Sequence, residues 1–150
     1  MKKEIIKVTF VSGLLDIMAA FGQAYMVRKT PPDIVLRYIA SGLFGKPAFS
    51  GGFIYPLSGL VFHFLIVLAC AATYFGLFTR VKLLQKKLLF SALLIALVAW
   101  LITNQVIIRL SKISPAPFEL SNALVAIAIL WVCVGLPIAF MARQYFKRAG

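Results

Sequence analysis

Asp16 and His63 each stand in the middle of a long apolar stretch, Asp16 as the one acid deep in its run and His63 as the single histidine of the chain. An ionisable side chain at the centre of a bilayer costs about 2.5–3.5 kcal/mol on insertion scales and normally faces protein or water, so each demands a partner. Around Asp16, the residues Thr9, Ser12, Ala20 and Gln23 recur at helical spacing and draw a polar seam down one stripe of a helix. At 1.5 Å per residue, Asp16 lies ~16 Å from the outer end of its run and His63 ~15 Å from the start of the next, so their depths match. The expectation is that Asp16 and His63 meet inside a bundle, directly or through water, and titrate as a coupled unit. Asn104 and Gln105 lie in the outer third of a later run, just ahead of Arg109 and at the height of Gln23. The predicted polar cluster is therefore Asp16, Gln23, His63, Asn104 and Arg109. Such a set either binds a ligand, ion or proton or supplies hydrogen bonds that hold helices together.

Other chemistry finds little support. Cys70 and Cys133 fall in separate apolar runs, without disulfide-framework or zinc-ligand spacing, and read as reduced packing residues. One histidine and two cysteines on different helices do not fill a usual metal or haem site, so no cofactor is expected. Gly-x-Ser-x-Gly, His-Glu-x-x-His and the P-loop are all missing, and no residue is assigned a catalytic role. Of the four acidic residues, Glu4 and Glu119 sit at the ends of apolar runs, which leaves little for acid/base work.

The elements that must position these residues follow from composition. The chain has 150 residues, 62% hydrophobic and only 13% charged, against the ~25% charged residues of an ordinary soluble domain. A helix crossing ~30 Å of hydrocarbon needs about 20 apolar residues, and the sequence has four such runs, at 5–27, 53–79, 88–110 and 118–142. They predict an all-α integral membrane protein, a single bundle of four transmembrane helices. Met1-Lys2-Lys3 ahead of an apolar run resembles a secretory signal, but Glu4, Lys7 and Asp16 interrupt it and the run is too long, so a retained helix is expected.

Between the first two runs, Thr30-Pro31-Pro32-Asp33 reads as a helix start, with Thr30 as N-cap and Pro31 at the first helical position. The spacing predicts a short helix over 31–44. Its stripe of Asp33, Arg37 and Ser41 opposite Ile34, Val35, Tyr38 and Ile39 is amphipathic and too short to span, which places it along the membrane interface or tucked against the bundle. Residues 42–56 hold enough Gly and Pro to forbid a continuous helix. Ala69 with Thr73 and Ala72 with Gly76 offer small residues for close helix approach in lipid, and a homo-oligomer is a further expected assembly. Pro137 should kink the last helix, and the tail from Arg143 should be basic and exposed.

The formal net charge of +12 is also the footprint of nucleic-acid binding, but the Lys and Arg residues flank apolar runs, where they meet anionic lipid headgroups. Nucleic acid is therefore not an expected partner. Ten of the sixteen lie on one side: Lys2, Lys3, Lys7, Arg80, Lys82, Lys86, Lys87, Arg143, Lys147 and Arg148. That side, with both termini, is predicted to be cytoplasmic.

Leu15-Asp16, the stretch Val35-Leu36-Arg37-Tyr38-Ile39-Ala40-Ser41-Gly42, His63-Phe64, Tyr74, Asn104 and Gly135-Leu136-Pro137-Ile138-Ala139 resemble a widespread family of uncharacterised four-helix bacterial inner-membrane proteins. That family in turn resembles, more distantly, an enterobacterial inner-membrane family loosely linked to acid tolerance. The resemblance covers nearly the whole chain through short motifs and implies that Asp16, His63 and Asn104 match the family's polar positions. It implies no activity. Where many relatives carry Pro-Leu-Ser after the third span, this chain has Ile108-Arg109-Leu110-Ser111, which sets Arg109 apart. The leading functional expectation is a structural or accessory bundle with a buried polar cluster. A small proton, ion or polar-solute transporter using Asp16 and His63 comes second, and a membrane-embedded enzyme third.

Overall fold

The computed structural model describes residues 1–103 and 119–149, and every regular element among them is helical. Helix α1 (Lys2–Arg28) runs 27 residues and ends where Lys29 turns left-handed at φ 53°. The amides of Lys29 and Thr30 then satisfy the carbonyls of Tyr25 and Ala24. A three-residue link leads into α2 (Pro32–Phe44), followed by the single turn α3 (Pro47–Ser50) and the long α4 (Ile54–Phe78). A short α5 (Lys82–Lys86) joins α4 to α6 (Leu88–Leu101). The last column is α7 (Leu120–Leu130), a π-helical turn (Trp131–Gly135) and α8 (Leu136–Ala149).

Three of these columns, Lys2–Arg28, Ile54–Phe78 and Leu120–Arg148, are long and apolar enough to cross a membrane, the mark of a membrane protein. Their outward side chains fit that solvent. Phe10, Met18 and Leu65 are each more than half exposed and belong against lipid rather than water. The remaining apolar run is described over residues 88–103, of which the 14 residues of α6 rise ~21 Å.

Packing sets the directions. Helix α1 runs antiparallel to α4, pinned where the His63 ring meets the Gly13 carbonyl. At the far end of α4, Phe78 stacks on Phe146 of α8 at 5.0 Å, while Phe75 lies 6.1 Å from Tyr145. Arg143 donates to the Gln85 carbonyl and Trp131 Nε1 to that of Leu89, 3.1 Å away. Ile5 and Val8 near the start of α1 join the same apolar cluster as Phe75, Phe78 and Ile138. The start of α1, the ends of α4 and α8 and the start of α6 thus share one end of the bundle. Two glycines permit the closest approaches: a Cβ at Gly59 would strike the Leu36 carbonyl of α2, and one at Gly135 the Ala92 carbonyl of α6.

Three local expectations are corrected, at the start of α2, at Pro137 and in the tail. Pro31, not Thr30, occupies the N-cap of α2, and Pro32 takes the first helical position, with no side-chain cap. The Thr30-Asp33 capping pattern does not form because Asp33 turns instead to Arg37, 3.7 Å away. Within the polar stripe of α2, Asp33 stays exposed while Arg37 and Ser41 turn toward neighbouring backbone: Arg37 donates to the carbonyls of Ala48 at 3.0 Å and Gly51 at 2.7 Å, and Ser41 is fully buried. Irregular backbone leaves unpaired carbonyls, and the two hydrogens of Arg37 Nη1 answer two at once. The tail from Arg143, expected to be exposed, continues α8 and is partly buried, because Tyr145 and Phe146 return to the aromatic end of α4. The irregularity tied to Pro137 sits a turn earlier, as the π-turn, since proline clashes with the carbonyl four residues back, here that of Cys133.

Candidate functional site

The polar seam of α1 faces the bundle, with Thr9 and Ser12 buried and Asp16, Ala20 and Gln23 partly so. Gly13 lies on the same side and lets α4 come close. There His63, 8% exposed, places Nε2 2.9 Å from the Gly13 carbonyl oxygen and Nδ1 3.9 Å from Asp16 Oδ2. Asp16 and His63 therefore meet.

The chemistry of the two contacts assigns the protons. A carbonyl oxygen only accepts, so Nε2 carries the hydrogen and donates it to Gly13. That leaves Nδ1 and a carboxylate oxygen facing each other. Both are acceptors when bare, so the arrangement is satisfied when a proton lies on one of them, as neutral acid and imidazole or as carboxylate and imidazolium. At 3.9 Å the gap exceeds a direct hydrogen bond of 2.7–3.2 Å yet lies within ion-pair range. A bridging water or a modest rotation of Asp16 closes it.

Asp16 and His63 line a cavity of about 270 Å³, together with Gln23 from α1, Val35 and Ile39 from α2, and Cys70 from α4. Trp100 and Thr103 on and just beyond α6, and Ala126 and Ile129 on α7, complete its walls. Apart from Asp16, His63, Gln23, Thr103, the Cys70 thiol and the indole N–H of Trp100, the side chains named here are apolar. One turn from Asp16, the Ser12 hydroxyl is fully buried with no hydrogen-bond partner among the described residues, which makes it a place for an internal water.

Of the predicted cluster, Asp16, His63 and Gln23 share this cavity, while Asn104 and Arg109 lie outside the described residues. Cys70 and Cys133 are free thiols. No group of three metal-ligating side chains occurs among the described residues. Helix α2 and Trp100 were absent from the sequence-based cluster. The amphipathic pattern of α2 carries a signal for Val35 and Ile39 once its apolar side is turned inward, whereas Trp100 has no signal beyond its place four residues before Asn104. No protein-family model matches the chain, and neither a curated protein nor a solved structure is significantly similar to it.

Proposed function

We propose that this chain is a four-span protein of a bacterial inner membrane that binds a small ligand within the bilayer and exchanges it against a proton held by Asp16 and His63. That is the behaviour of a small transporter or carrier. The observation that carries the reading is that the acid–imidazole pair borders a cavity instead of being enclosed by packed side chains. Intramembrane ionisable groups facing a cavity mark ion, proton and solute paths. A fourth span is supported by α6, which runs antiparallel to α7 and α8 and whose apolar sequence continues to Leu110. The Lys and Arg balance supports cytoplasmic termini.

A structural role for the pair in an accessory bundle is the second reading, favoured by the bond from His63 to Gly13 that ties α4 to α1. A hydrophobic carbodiimide separates the two, because it attacks a protonated carboxyl reached from an apolar medium. The folded protein in lipid nanodiscs is expected to be modified at Asp16, as located by mass spectrometry. Modification only after denaturation supports the sealed, structural reading instead.

A further inference from the structure

We infer that the cavity takes a small organic monocation with an apolar body, an amine or quaternary ammonium, in exchange for the proton shared by Asp16 and His63. The inference rests on the binding reading above and specifies its ligand by charge. With one proton between them the pair is neutral, the state an empty apolar cavity favours, because an uncompensated charge there is costly. When that proton leaves, the walls carry a single negative charge, and a monovalent cation restores neutrality. The balance is one cation in, one proton out: the proton departs from Asp16 or from His63 Nδ1 to water, no covalent bond to carbon changes, and the carboxylate becomes the counter-ion.

The opposite choice, an anion bound together with an extra proton, meets no complementary wall among the described residues. No described Lys or Arg lines the cavity, and the one basic side chain there, His63, has Nε2 committed to the Gly13 carbonyl. A cation finds the Asp16 carboxylate and an indole, Trp100, in the same lining; aromatic faces attract ammonium groups within about 6 Å. The remaining walls, among them Ile17, Val35, Ile66 and Ile129, suit an apolar body. At about 270 Å³ the space lies near the lower limit of ligand pockets, ~300–1,000 Å³, and so favours a small molecule. The other titratable group in the described lining is a thiol, that of Cys70 from α4. Helices α1, α2, α6 and α7 add no further titratable side chain to the described lining.

Benzyltrimethylammonium is a suitable probe, with its uncharged carbon isostere neopentylbenzene as control, in nanodiscs of phosphatidylglycerol so that no lipid headgroup supplies an ammonium. Binding is expected to release one proton per cation in weakly buffered solution. Affinity should rise about tenfold per pH unit while the pair still holds its proton. The cation, and not the isostere, should protect Asp16 from the carbodiimide. Asp16→Asn should abolish binding and Asp16→Glu keep it; should the Asn variant fail to fold, the Glu variant and the isostere still decide. Equal protection by neopentylbenzene, or cation binding without pH dependence, overturns the inference. Failure of the cation to bind while the carbodiimide reaches Asp16 overturns it too, but leaves the binding reading standing. If the carbodiimide fails to reach Asp16, both fall.

Discussion

Asp16 and His63 divide their duties by nitrogen. Nε2 anchors α4 to the Gly13 carbonyl, and Nδ1 faces Asp16 and the cavity. The two duties separate by mutation. His63→Leu removes the anchor and is expected to lower stability by about 0.5–2 kcal/mol, the range of interhelical hydrogen bonds in membranes, measured by unfolding in mixed micelles. His63→Gln, whose amide can donate to Gly13, should recover much of that stability without restoring a titrating partner for Asp16. Equal losses in both variants would show that packing, not the hydrogen bond, is what the imidazole supplies. The pairing was legible in the sequence because a lone acid and a lone imidazole at matched depth on antiparallel helices have few other partners. Their protonation pattern was not, since it depends on which ring nitrogen reaches a backbone carbonyl that no side-chain pattern records.

Close approach of helices shapes the cavity as much as its polar residues do. Gly59 admits the backbone of α2, and α2 supplies Val35 and Ile39 to the wall. Gly59→Val is expected to force α2 off α4 and cost about 1–3 kcal/mol, the usual range for overpacking, seen as a lower midpoint of thermal unfolding in detergent. Gly76→Ala, where nothing lies within 4 Å of an added Cβ, should be neutral or slightly stabilising. An equal loss at both positions would refute the argument from close approach. Helix α2 also shows why part of the site escaped the sequence. Its apolar/polar alternation located the helix but not its facing, because the usual assumption of polar side outward fails when Arg37 has two loop carbonyls to satisfy. In the same way, the small residues Ala69, Ala72, Thr73 and Gly76 line an outer face of α4 in this structure, not a contact within the bundle. Sequence spacing identifies such a face without saying which neighbour it meets.

For the molecule as a whole, the ends of α4 and α8 and the start of α1 gather at one pole, together with most of the basic side chains. The proposed cytoplasmic side for that pole predicts that a phosphatase reporter fused after Gly150 is inactive and a cytoplasmic fluorescent reporter active. A phosphatase active at Gly150 would reverse the orientation. The apolar runs, their order and the preponderance of charge were readable from composition alone, because lipid imposes length and polarity on every span. The cavity arises from the joint shape of α1, α2, α4, α6 and α7 and has no counterpart in any one segment. The central claim, that a proton is shared between Asp16 and His63 Nδ1 inside this bundle, is tested most directly by the ¹⁵N resonances of His63, the chain's single histidine. With the protein in lipid and no histidines added, the two ring nitrogens are followed across pH. The account predicts that Nε2 stays protonated throughout, that Nδ1 alone exchanges its proton, and that Asp16→Asn moves the Nδ1 titration. A bare Nε2 opposite a protonated Nδ1, or a titration unmoved by Asp16→Asn, would contradict it.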